Sequence, residues 1–190
     1  MELRASIIEG TIVVFNQKGL KFTMDDIAKQ LGMSKKTIYT VFTDKESLFY
    51  AIVDYMFDCI KESERRVLED TSLSTLEKIR KILGVMPEGY KDIDFRQLYL
   101  LKEKYPKIYR KVEQRLETGW EKTIELLEIG MAEGVIRPVP VSIVKMMLEA
   151  ALEQFFQRDI LIQSGLTYTE ALDAVVNILV DGIIIHNERK

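Results

Sequence analysis

The chain has one cysteine, Cys59, and one histidine, His186. A lone cysteine excludes an internal disulfide framework and fits a reducing compartment. With a lone histidine beside it, metal clusters and Ser-His or Cys-His catalytic groups are nearly excluded by inventory, so no metal, cofactor or catalytic residue is expected. No apolar run reaches the roughly 18 residues of a membrane span. The opening "MELRASIIEG" lacks the basic region and long apolar core of a signal peptide. A cytoplasmic protein without a membrane partner is therefore expected. Prolines are few, at 87, 106, 138 and 140, and strand-like alternation is absent.

What is present is helical periodicity almost throughout, in 190 residues of which 47% are hydrophobic. The expected class is all-α, with about nine helices. Ile7, Ile8, Thr11, Ile12, Val14 and Phe15 give the first helix, about 2–17, its buried face, and Lys18-Gly19 ends it. Thr23 opens a second helix with Asp25 and Asp26 in its first turn, where acids suit the dipole. Gly32 stops it. Ser34 caps a short third helix, Lys35–Phe42, and Asp44 caps a fourth that runs to about Glu69. Further helices are expected over 74–85, 93–104, 107–133, 141–164 and 167–187. The run "IIIH" has strand composition but continues the last helical pattern.

Helix, helix, tight glycine turn and helix is a helix-turn-helix order. In such a unit the second helix of the motif enters the major groove. Ile38 and Phe42 lie four apart and face inward, so Lys35, Lys36, Thr37, Tyr39 and Thr40 project outward. Lysines supply phosphate or guanine contacts, threonines a hydroxyl and a methyl, and Tyr39 a phenolic donor. Lys45 adds charge beside the next helix. Residues 16–45 carry six lysines against three aspartates, a local balance of +3 in a chain of net charge −3. The remainder is thus about −6, an asymmetry suited to a nucleic-acid reader on an acidic body. Alone, the stretch 32–42 also fits a solvated surface helix.

The segment "FTMDDIAKQLGMSKKTIYTVFTDKESLF", residues 22–49, resembles the DNA-binding segment of the tetracycline-repressor (TetR-like) family, and the likeness extends back through residues 7–19. It implies a homodimeric, all-α transcriptional regulator, most often a repressor. The helix-turn-helix domain would occupy 1–47, and a helical effector-binding and dimerisation domain 48–190. A small molecule in the second domain would release a double-stranded DNA operator. By position, the resemblance assigns DNA contacts to Thr23, Ser34, Lys35, Thr37, Tyr39, Thr40 and Lys45. Lys36 stands where glycine is frequent and adds a candidate contact. Val41 replaces a usual polar or aromatic residue. Gly10 replaces a common alanine, at about 1 kcal/mol of helix propensity unless something packs closely there.

In the larger part, Met86, Phe95, Tyr99, Trp120 and Met131 are candidates to line an apolar effector cavity, and equally ordinary core material. Glu149, Glu153 and Gln157 share one helical face. They either meet a ligand or rim a helix–helix interface. The last two helices are apolar on more faces than one core can cover. They supply the expected dimer interface: Ala150, Ala151, Phe155, Ala171, Val175, Ile178, Leu179 and Gly182. Two other function classes fit less well: an all-α enzyme or small-molecule carrier, and a protein-interaction module without operator binding.

Overall fold

The computed structural model describes residues 2–87 and 100–185. Helix α1 spans Glu2–Lys18, followed by a 3-10 turn at Gly19–Lys21, α2 over Met24–Leu31, α3 over Lys35–Tyr39 and α4 over Lys45–Glu69. Then come α5 (Thr75–Leu83), α6 (Leu101–Lys104), α7 (Pro106–Glu117), α8 (Glu121–Ala132), α9 (Val141–Gln157), α10 (Ile160–Ser164) and α11 (Tyr168–Asp181). The architecture is all-α, as the periodicity implied, but with eleven α-helical segments among the described residues instead of about nine.

Local chemistry explains the starts. Thr23, Asp44, Ser74 and Thr167 each form a two-way capping box with the residue three positions on, and Ser34 caps α3. Pro106 occupies the first turn of α7. Gly32 ends α2 in the left-handed region at φ +62°, with nothing within 4 Å of where a Cβ would lie. Gly32→Ala is therefore expected to cost about 1–2 kcal/mol through the backbone alone, read as a lowered thermal midpoint. Gly10 is also accounted for: a Cβ there would overlap the side chain of Leu31, so α1 and α2 approach more closely than alanine permits.

Four expected helices differ. The stretch 107–133 is two helices, broken at Thr118–Trp120, where Gly119 takes φ +79°. The stretch 141–164 breaks at Arg158, whose backbone is extended. The short third helix ends at Tyr39 instead of Phe42. The last helix ends at Asp181, and Ile184 forms an isolated antiparallel bridge with Ile136. There the Arg137 N–H donates to the Ile183 carbonyl at 2.8 Å, a partner 46 residues away that no local pattern encodes. Of the helix expected over 93–104, only Leu101–Lys104 falls among the described residues, and His186 lies outside them.

One apolar core runs through the chain. Helices α1–α3 close around Ile7, Ile27, Ile38 and Phe42, all buried. The expected division at 47/48 falls in the first turn of α4, which continues unbroken for 25 residues and packs against α1, α5 and α7. No helix among the described residues is long and apolar enough to cross a membrane.

Candidate nucleic-acid interface and effector cavity

Helix α3 presents an exposed face, anchored from beneath by Ile38 and Phe42. Ser34, Lys35, Lys36, Thr37, Tyr39 and Thr40 come together on it, and Tyr39 is 46% exposed. Their donors differ in availability. The Thr40 hydroxyl donates to the Thr37 carbonyl at 2.6 Å, and the Ser34 and Thr37 hydroxyls share a bond of 2.9 Å. Lys35 pairs with Asp25 at 3.0 Å. Lys36 is exposed and makes no ion pair among the described residues, so its ammonium and the Tyr39 phenol are the freest groups on this helix.

Two residues sit differently from the expectation. The Thr23 N–H and hydroxyl both donate to the Asp26 carboxylate, at 2.9 and 2.8 Å, so both of its donors serve the cap of α2. Hydrogen bonds from Lys18, first, and then from Thr23 hold the Asp26 carboxyl down to about 2. Lys45 turns inward instead of toward solvent. Its ammonium donates to the carbonyls of Leu20 at 2.9 Å and Phe22 at 2.6 Å. It also lies 4.1 Å from the centre of the Phe22 ring. The carbonyls ending the 3-10 turn have orphan lone pairs, and a nearby cation satisfies them. Lys45→Met is therefore expected to destabilise the fold by about 1.5–3 kcal/mol, measured by urea denaturation. A lysine serving only phosphate would leave that stability unchanged.

One cation escaped the sequence reading because it lies outside the lysine-rich window. Arg4, in α1, places its guanidinium 4.7 Å from the centre of the Phe42 ring, just past α3. Its charge thus lies close to the end of α3. Lys18 pairs with Asp26, leaving Lys21, Lys29 and Lys36 as the window's exposed lysines outside any ion pair described.

Behind this unit lies a cavity of about 180 Å³, walled mainly by apolar side chains of α4, α5, α7, α9 and α11. Met86 and Trp120 line it, as expected. Phe95 and Tyr99 lie outside the described residues. Met131 does not reach the cavity; its sulfur accepts from the Val139 N–H at 3.4 Å. Glu149 and Glu153 also lie off the wall, which α9 builds from Leu148, Leu152 and Phe156. Glu149 pairs with Lys145 at 3.3 Å, and Glu153 and Gln157 stand opposite the Tyr109 hydroxyl of α7. Burial first, then Glu113, pushes that hydroxyl up to about 12. The polar face of α9 is thus part of a helix–helix interface.

The wall also includes residues the sequence gave no reason to select. Ile12 and Phe15 reach it from α1, and Lys61, Glu64 and Thr123 add polar groups. Phe49, on the wall, packs against Phe22 at 5.2 Å and Tyr105 at 5.1 Å between ring centres. Among the described residues no group of side chains is arranged to hold a metal ion.

The expected dimer residues divide into two sets. Phe155, Ala171 and Leu179 are buried within the chain's own core, so they are corrected from interface to core. Ala150, Ile178 and Gly182 are exposed, and Ala151 and Val175 are half-buried. Ile178 is 73% exposed, and Ile143, Met146 and Met147 continue an apolar surface on α9.

A capped helix, a glycine turn and a short exposed helix, set on a helical body with an apolar cavity, define a helix-turn-helix unit on an all-α body. Residues 7–52 match the family described as bacterial regulatory proteins, tetR family. The chain thus carries a segment of the tetR family of bacterial regulatory proteins, and over nearly its whole length it is similar to an HTH-type transcriptional regulator. It is 28% identical over 182 residues to the uncharacterized HTH-type transcriptional regulator YvaF of Bacillus subtilis, covering 96% of each chain. Its fold is similar to that of the regulatory protein TetR from Rhodobacter sphaeroides, with a TM-score of 0.71 at 17% identity, over 97% of this chain and 100% of that one. It is also similar to the transcriptional regulator FadR from Bacillus subtilis, solved in complex with stearoyl-CoA. There the TM-score is 0.62 at 19% identity, over 96% and 99% of the two chains.

Proposed function

We propose that the protein is a cytoplasmic homodimeric repressor released from a palindromic operator by a small apolar or amphipathic molecule. The DNA-reading unit is 1–47, and 48–190 binds the effector and dimerises. The observation that carries this reading is the cavity wall, which extends from α9 and α11 to Ile12 and Phe15 of α1. A molecule filling it touches both ends of the chain, and the Phe49 contacts with Phe22 and Tyr105 continue that packing toward α2. Differential contact of this kind is what couples two sites. FadR, solved with stearoyl-CoA, gives a precedent for an amphipathic ligand in this fold.

Lys36 and Tyr39, with Ser34, Lys35, Thr37 and Thr40, meet the major groove; Arg4 adds a phosphate contact at its edge. The exposed apolar residues of α9 and α11 pair with those of a second copy across a two-fold axis. The test is to recover genomic fragments bound by the purified protein, then measure affinity for one of them with and without amphiphiles. Coupling of about 1–3 kcal/mol, reciprocal between DNA and ligand, is expected. A ligand that fills the cavity and leaves operator affinity unchanged overturns the reading.

A further inference from the structure

The polar end of the cavity lies where α4 meets the turn between α7 and α8. There the Lys61 ammonium donates to both oxygens of the Glu64 carboxylate, at 2.9 and 2.8 Å, and to the Gly119 carbonyl at 2.6 Å. Lys61, Glu64 and Trp120 all face the cavity. The carboxylate is the more deeply placed partner: the Glu64 side chain is 13% exposed and that of Lys61 38%. Burial raises the Glu64 carboxyl despite the lysine beside it. Gly119 makes the arrangement possible. It takes φ +79°, and a Cβ there would lie 2.8 Å from Lys61 Cε. Only glycine both adopts that backbone readily and lets the lysine lie against it.

The other cations nearby are committed. Arg115 is held by Asp54 at 3.3 Å and Asp58 at 2.7 Å. Lys145 pairs with Glu149 at 3.3 Å and donates to the Glu117 carbonyl at 3.2 Å. Among the described residues no cation on this wall is left over to receive an anionic head.

We propose that Glu64 and the Gly119 carbonyl form a cation subsite of the effector cavity, filled here by the chain's own Lys61, and that the effector class is amphipathic amines. The proposal rests on the reading of this cavity as the effector site. Lysine has a long flexible stem and is partly in water already, so its head can swing out at small cost. Glu64 cannot follow, and a buried carboxylate without a partner is strongly unfavourable. An incoming ammonium that takes over both acceptors replaces Lys61 and leaves no charge unpaired. An anionic head would have to draw Lys61 away and strand Glu64.

The test uses the full-length protein and three ligands with one chain length: n-decylamine, n-decanol and n-decanoate. Calorimetry is run at neutral pH below their aggregation concentrations. Decylamine is expected to bind about tenfold or more tightly than decanol, the scale of a hydrogen-bonded charge. Lys61→Met should strengthen the amine further and leave decanol unchanged. Glu64→Gln, and the Lys61→Met/Glu64→Gln pair that avoids a stranded charge, should erase the preference for the amine. Decanoate binding most tightly, or an amine preference that survives Glu64→Gln, overturns the subsite while leaving the cavity an effector site. Failure of all three ligands to bind overturns both.

Discussion

Ile178→Glu is expected to convert the protein to a monomer and to abolish operator binding in the same step. Ile178 is 73% exposed in the single chain, so a glutamate there meets water in the monomer and leaves its core intact. Surface changes of that kind usually alter stability by less than about 0.5 kcal/mol. In a two-fold dimer built on α9 and α11 the same carboxylate is buried twice. Desolvation costs several kcal/mol per ion, so the dimer should weaken by about 4 kcal/mol or more, roughly a thousandfold in dissociation constant. Operator affinity falls with it, because one α3 reads only a few base pairs and two half-sites must be held about one helical turn apart. Sedimentation at micromolar concentration and DNA binding by anisotropy are read on the same sample. A variant that stays dimeric and binds DNA sinks the α9–α11 interface. Leu179→Glu would not serve, since Leu179 is buried and a carboxylate there would act on the chain's own core.

The second large effect is expected from Lys36→Ala with Tyr39→Ala. Both side chains are exposed, so folding should be retained. Each substitution acts in both half-sites. At about 1–3 kcal/mol per good contact, operator affinity should fall at least a hundredfold. Lys36→Ala alone should reduce the slope of log affinity against log salt by about 2, one phosphate per half-site. An unchanged slope would remove Lys36 from the interface. Thr37 and Thr40 substitutions should instead alter which sequences are preferred, through their methyl groups, because their hydroxyls are engaged within the helix.

Much of this was readable in advance because it is local. Thr23, Ser34 and Asp44 act on N–H groups within three residues of themselves, so helix starts follow from short sequence windows. Gly32 announces its own left-handed turn, and the order α1–α2–turn–α3 follows from those signals. The break at Arg158 carries neither glycine nor proline, and the Ile136–Ile184 bridge joins residues 48 positions apart. Neither has a local cause to read.

The site divided along the same line. Spacing alone put Lys35, Lys36, Thr37, Tyr39 and Thr40 on one outward face, because Ile38 and Phe42 must go in. It did not show that Lys45 would find two orphan carbonyls 23 and 25 residues earlier and turn inward. Apolar periodicity in α9 and α11 showed an excess of apolar faces, but only packing decided that Phe155, Ala171 and Leu179 fill the chain's own core while Ile178 is left exposed. The cavity is the extreme case. Lys61, Glu64 and Gly119 are unremarkable in sequence, and they meet because α4 and the α7–α8 turn pack side by side. Sequence by itself determined the helix starts, their caps and the exposed face of α3, since each depends on neighbours within a turn or two. Tertiary structure decided which charges are free and which are already partnered, because pairing depends on distances that the chain sets only when its helices close on one another.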